Sequence, residues 1–485
     1  MRTAIKIGIV ALGPSLLTLT FAAVLWRATP RDFVPLWNDE VAYWNEAAAF
    51  RVGGFGAGYV NIGERPAAAS FSHFGPHGPA FAVVYGSLAR LVGWRPYSPY
   101  LVNLLLIPLC AVPWIWITRA RIPAWVQAAV IAGFWPLLLY LPSVMQEPLH
   151  FGVALILAAL VESSAHRGWE RDRLAAVLLT ITVACLFRPT WALIIPALFW
   201  RSRWKGRVVS CVAMVTVLLL SFLVFDWMSA PYPSSSWIRE AAADPAKGVW
   251  MILTATAAGM RHFVQPVEEQ PAITAFRLEV VAAVVAGVLY WYRRAAVEAR
   301  IRLEVAALAI LPVLASLMSV GDVQQGREFR VLAPHVLFAL LVVAPLSRWW
   351  ALVPAAATVA LLPILLVEYR NYHDGRFAGQ PDVQAFADAV RGAVTFQPDA
   401  ASGWVNTAIM HVDTVQSPLV GLPAGIGFSA VLDWEDQAFP LRSRYVLLRK
   451  GDEPFVMART RLTRLADTPL GTLYRNEDPR ASDAP

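Results

Sequence analysis

Five short stretches of the chain carry residues able to do chemistry. The first is Trp37-Asn38-Asp39-Glu40-Val41-Ala42-Tyr43-Trp44-Asn45-Glu46. An acidic pair after Asn reads as a helix start, with Asn38 as the cap and Asp39 and Glu40 in the first turn, where the helix dipole favours anions. Such capping also fixes the carboxylates in space. Neighbouring helix positions point about 100° apart, so the two acids can take different partners. One can accept a proton while the other holds a metal or orients a substrate. The second stretch is Phe71-Ser72-His73-Phe74-Gly75-Pro76-His77-Gly78-Pro79. His73 and His77 have the i,i+4 spacing of a zinc pair, but Gly75-Pro76 would break the helix that such a pair needs, and no third ligand is evident. These histidines fit contacts to a phosphate or hydroxyl better, or a plain interfacial position.

The other three stretches are Gln146-Glu147-Pro148, Phe187-Arg188-Pro189 and Gly326-Arg327-Glu328-Phe329-Arg330. Each sets a charge at the edge of an apolar block. A charge there is costly unless it is paired or faces water, which makes it a candidate functional group. The alternative for Arg188 and Arg330 is snorkelling to lipid headgroups. Carboxylates and arginines gathered at a membrane surface suit a lipid phosphate that carries a polar group. Arginine neutralises the phosphate, and a carboxylate takes the proton of an attacking hydroxyl.

The elements that must position these residues are membrane helices. A soluble domain carries about a quarter of its residues as Asp, Glu, Lys and Arg. Here charged residues are 15%, hydrophobic residues 57%, and the mean hydropathy is +0.50. The apolar residues come in blocks of about 15–22, the length that crosses roughly 30 Å of hydrocarbon. The net charge of +7 lies in short clusters between blocks, such as Arg201, Arg203, Lys205 and Arg207. That is the positive-inside pattern of a membrane protein, not the footprint of a nucleic-acid binder. Cys110, Cys185 and Cys211 sit in apolar blocks with no metal or redox spacing and read as small buried residues. Arg2 and Lys6 precede an apolar run to Trp26 that no small-residue cleavage site closes, so the run reads as an uncleaved first span.

The pattern predicts a polytopic α-helical membrane protein of about eleven transmembrane helices, at 7–26, 97–118, 122–140, 148–165, 174–187, 189–200, 208–228, 273–292, 303–320, 331–346 and 349–368. Outer loops fall at 27–96 and 229–272, the first containing a short apolar helix at 79–94 that is re-entrant or interfacial. With the N-terminus inside, the inner segments hold sixteen Lys and Arg and the short outer loops three, Arg188, Arg327 and Arg330. Residues 1–369 then form the membrane domain. Residues 370–485 change composition and predict a soluble α/β domain, with a helix at 385–391 and strands at Tyr445–Leu448 and Leu470–Tyr474. The odd span count sets that domain outside. No internal repeat is visible, which weakens an inverted-repeat transporter reading.

The order of these features resembles the GT-C superfamily of membrane glycosyltransferases, which includes aminoarabinose transferases and protein O-mannosyltransferases. The family's first outer loop carries an acidic motif, matched by Asp39-Glu40. A His-Pro-Pro-like element is matched by His77-Gly78-Pro79, with a departure at its middle position. Gln146-Glu147-Pro148-Leu149 matches a Ser-Glu-Pro-Leu-like span start, and Arg188-Pro189 an Arg-Pro turn. Phe329-Arg330-Val331-Leu332-Ala333-Pro334 loosely matches an Arg-Tyr-Leu-x-Pro-like element. The resemblance covers residues 1–370.

It implies transfer of a sugar from a polyprenyl-phosphate-linked donor to an acceptor hydroxyl on the periplasmic or extracellular face of the plasma membrane, with inversion. The acceptor is a lipid, glycan or protein. Asp39 would be the general base, with Glu40 and Glu147 orienting substrate. Asp39 and Glu40 could also hold a divalent cation such as Mg²⁺ or Mn²⁺, although no dedicated cage is evident. Arg188, Arg327 and Arg330 would stabilise the departing lipid phosphate, and His73 and His77 would contact substrate. The competing readings are a transporter or flippase of lipid-linked sugars, a glycan polymerase or ligase, and a non-catalytic relative that binds or scaffolds.

Overall fold

A computed structural model of the chain describes residues 2–56, 60–62, 78–167, 171–199, 204–228, 244–267, 270–293, 296–320, 323, 326, 328–394, 405–411, 416–422, 426–430, 445–449, 457 and 460–477. The described helices are α1 (Arg2–Trp26), α2 (Asn38–Gly53), α3 (Ala80–Val92), α4 (Ser98–Thr118), α5 (Ala124–Ala132), α6 (Trp135–Tyr140), α7 (Glu147–Arg167), α8 (Arg171–Cys185) and α9 (Ile195–Phe199). They continue with α10 (Trp204–Met228), α11 (Pro245–Phe263), α12 (Pro271–Tyr292), α13 (Val297–Val320), α14 (Glu328–Val343), α15 (Trp349–Ala360), α16 (Leu362–Ala378) and α17 (Gln380–Ala393).

Six of these, α1, α4, α7, α10, α12 and α13, are long and apolar enough to cross a membrane, or seven spans if α15 and the helices after it count as one bent span. The chain is a polytopic α-helical membrane protein. Several expected spans are built from pieces. Segment 122–140 breaks at Gly133-Phe134 into α5 and α6, and segment 349–368 bends by 73° between α15 and α16. The expected outer loop at 229–272 contains α11, whose Val249, Trp250 and Leu253 are exposed apolar residues.

Ion pairs between helices fix the interior. Charges cut off from water must be paired, and each pair then specifies which helices meet. Arg302 of α13, read from the sequence as an inner-loop cation, is buried against Glu162 of α7 and donates to the Val342 carbonyl of α14 at 2.9 Å. Arg277 of α12 pairs with Glu328 at the start of α14 at 2.6 Å. Helix α14 is buried along nearly its whole length apart from Arg330 and Val331.

A six-stranded sheet stands beside the helices, formed by β1 (Val60–Ile62), β2 (Val405–His411), β3 (Ile426–Ala430), β4 (Tyr445–Leu448), β5 (Leu462–Thr468) and β6 (Gly471–Asn476). Its order is β1-β3-β2-β4-β6-β5; the first four strands pair in parallel, and β6 runs antiparallel to both β4 and β5. The expected helix and both expected strands of this region are present. The expected boundary at 369/370 falls inside α16, and β1, which comes from the first outer loop, pairs with β3. The loop and the C-terminal region therefore share one sheet.

Candidate active site

Four helical elements bring their N-terminal ends to one place. Asp39 lies in the first turn of α2, Glu147 opens α7, Arg188 caps the 3₁₀ turn Pro189–Ile194, and Arg330 lies in the first turn of α14. Unpaired amides and the dipole make each helix start a region of positive potential, suited to an anion. Before α14 the chain turns at Gly326, whose φ is +69°. An added Cβ there would lie 2.8 Å from Ile273 Cδ1, so both the backbone and the space favour glycine.

The four side chains form two linked ion pairs. Arg330 Nη1 donates to Asp39 Oδ2 at 3.2 Å. Arg188 Nη2 donates to Glu147 Oε1 at 2.8 Å, and its Nη1 donates to the Arg330 carbonyl at 3.2 Å. Asp39 and Arg330 are 29% and 28% exposed, whereas Arg188 is 16% and Glu147 only 2% exposed. The first pair is the open edge of the site, and the second is its floor. Tyr43 and Tyr140 lie within electrostatic range of Arg330 and Glu147, and Met145 Sδ accepts from Arg330 at 3.8 Å. Burial and the nearby Asp39 and Glu147 carboxylates push the Tyr43 phenol well above its usual range, so it stays a neutral hydroxyl.

Beneath Arg188 lies a buried aromatic layer. His150 Nδ1 accepts from Trp191 Nε1 at 2.9 Å, the Trp191 and His335 rings lie 4.3 Å apart, and Thr190 Oγ1 is 3.1 Å from His335 Nε2. It braces the Arg188-Pro189 turn from below.

Glu40 is placed differently from its neighbour. Its side chain is fully buried, and both oxygens are occupied by protein donors. Oε2 accepts from the Leu36 and Trp37 amides at 2.8 and 3.0 Å, and Oε1 from the Val144 amide at 2.9 Å and Arg376 Nη1 at 2.5 Å. Glu40, rather than Asn38, thus closes the start of α2. Asn38 is the first helical residue, with its Oδ1 accepting from the Asp39 amide at 2.8 Å. The expectation that Glu40 reaches substrate or a cation is corrected by this enclosure, which leaves neither oxygen free. Arg376 in turn donates from Nε to His373 Nδ1 at 2.9 Å, and His373 Nε2 meets the Leu139 carbonyl at 2.9 Å.

Of the other expected site residues, His73, His77 and Arg327 lie outside the described residues. Among the described residues no three His, Cys, Asp or Glu side chains converge as a metal site requires. With Glu40 enclosed and both Asp39 and Glu147 paired to arginine, the described carboxylates do not fit a divalent cation. Tyr43 could have been found from the sequence, one helical turn after Asp39. Tyr140, Met145 and Arg376 carry no motif that ties them to it.

No family model and no curated protein matches this chain. Among solved structures, ArnT from Cupriavidus metallidurans matches in two states. The state bound to undecaprenyl phosphate is 13% identical, with a TM-score of 0.44, and the apo state is 12% identical, with a TM-score of 0.45. Both matches cover 95% of this chain and 97% of the other, so the similarity to ArnT runs along nearly the whole length of both chains.

Proposed function

We propose that the chain is a GT-C-like glycosyltransferase that moves a sugar from a polyprenyl-phosphate-linked donor to an acceptor hydroxyl on the non-cytoplasmic face, with inversion. The observation that carries this reading is the pairing of an accessible carboxylate, Asp39, with an accessible guanidinium, Arg330, among converging helix starts. A phosphate leaving group needs fixed positive charge, and an acceptor hydroxyl needs a base. Arg330 and Arg188 take the phosphate, and Asp39 takes the proton of the attacking hydroxyl as the bond from sugar to phosphate breaks. Glu147 orients Arg188, Glu40 holds the start of α2, and no step needs a metal. Residues 370–485 form an extracytoplasmic domain.

The direct test supplies purified protein with a polyprenyl-phosphate-linked sugar and a cell-envelope extract as the source of acceptor hydroxyls, and measures released polyprenyl phosphate. Wild type releases it. Arg330→Ala lowers donor use roughly 30- to 150-fold, the loss of a charge-assisted hydrogen bond in a poorly solvated site. Arg330→Lys restores it only in part, because lysine lacks the two-pronged fork. Normal donor use by Arg330→Ala removes this arginine from the phosphate site.

Sidedness has its own test. Reporter fusions after Arg121, Arg207 and Arg302 read cytoplasmic, and fusions after Gln270 and Asp399 read outside. A cytoplasmic reading at Asp399 would overturn the assigned face.

A further inference from the structure

Helix α14 carries a buried proline in its interior, Pro334. Proline has no N–H to give, and its ring presses on the carbonyl four residues back. In α14 that carbonyl belongs to Arg330, so the helix leaves it without the bond that residue 334 would otherwise make. The freed carbonyl has a taker: Arg188 Nη1 donates to it at 3.2 Å. The same device occurs elsewhere in the chain. In α4 Pro108 frees the carbonyl of Leu104, and the buried Ser15 Oγ of α1 donates to it at 2.7 Å. There the device joins two helices. At Arg330 it joins the two arginines of the candidate site.

Without the proline, the start of α14 is a poor place for a second cation. A helix start presents N–H groups and the positive end of its dipole, both of which repel a guanidinium. Arg330 adds a positive charge of its own. An intact first turn would commit the Arg330 carbonyl to residue 334, whereas Pro334 leaves it as an acceptor at the positive end of the helix. Arg188 Nη2 is held by Glu147 at 2.8 Å, and the two bonds together fix the plane of the guanidinium. His335, the residue after the proline, holds the same turn from below. Its Nε2 lies 3.1 Å from Thr190 Oγ1, and its ring lies 4.3 Å from that of Trp191.

We propose that Pro334 is a positioning residue: by releasing the Arg330 carbonyl it sets Arg188 beside Arg330, so that both cations meet one phosphate. The phosphate role rests on the transferase reading, and the placement of Arg188 does not.

The test replaces Pro334 by alanine and by valine, one smaller and one larger than the ring, in wild type and in Arg188→Ala. Both replacements restore the N–H. With the lipid-linked donor and the acceptor extract, each lowers donor use roughly tenfold in wild type, the loss of a hydrogen bond to a charged group. In the Arg188→Ala background the same replacements cost nothing further, because no guanidinium remains to be placed. Thermal unfolding midpoints of these proteins in detergent show the same non-additivity. Donor use unchanged by both replacements overturns the proposal. So does a loss with only one of them, or an equal loss with and without Arg188, either of which would make Pro334 a packing residue. If wild type releases no polyprenyl phosphate, the transferase reading falls and the phosphate role with it. The unfolding cycle then decides the placement of Arg188, and additive midpoints overturn that too.

Discussion

Sugar transfer by Asp39→Asn protein, measured with donor saturating, falls roughly 10²–10⁴-fold, the usual contribution of a positioned general base. The structure makes this substitution a clean one. Helix α2 is closed by Glu40, which keeps all four of its bonds, so the helix start survives. Asparagine still offers Arg330 an oxygen in place of Oδ2, so the arginine keeps its position. What is lost is the ability to take a proton, which matters only in the transition state, and donor binding changes little. Wild-type turnover in the folded Asp39→Asn protein would sink the assignment and move the base to Glu147 or Glu46.

The sequence carried the parts of this fold that depend on local pattern. Apolar block length and the placement of basic clusters give the helical segments, and Asp467-Thr468-Pro469 gives the turn between β5 and β6. It carried the site as far as order along the chain can carry it. Glu147, Arg188 and Arg330 each stand out as a charge at the edge of an apolar block and Asp39 as an acid in the first turn of a helix, and the structure joins all four. The step from Asp39 to Glu40 shows where local pattern runs out. Their different directions on a helix were foreseeable, and they do take different partners, Arg330 and Arg376. Which of the two faces open space was not, because that depends on α16, whose Arg376 meets Glu40 across 336 residues of sequence. The breaks inside segments 122–140 and 349–368 escaped for a similar reason: hydropathy averages over a bend, and only packing shows it. The pairing of β1 with β3 is equally hidden, since a three-residue strand has no period to read.

Arg376→Met should destabilise the folded protein by about 3–5 kcal/mol, because it strands a buried carboxylate without its cation. Both partners are 0% exposed, and the carboxylate cannot turn to water, being held by three backbone amides as well. The damage would spread. Arg376 joins α16 to the start of α2 through Glu40 and to the Leu139 carbonyl through His373, while its own carbonyl accepts from the Val34 amide at 3.0 Å. It therefore ties together the segments on either side of Asp39. Removing both charges is expected to be milder than removing one, since Glu40→Gln can still accept from backbone amides and no longer needs a cation. Thermal unfolding in detergent of wild type, Arg376→Met, Glu40→Gln and the double variant closes the cycle. The expected result is a large loss for Arg376→Met, partly recovered in the double variant, with a coupling of about 0.5–3 kcal/mol. An unchanged unfolding midpoint for Arg376→Met would show that Glu40 is not held by this pair, and would return it to the list of residues free to act on substrate.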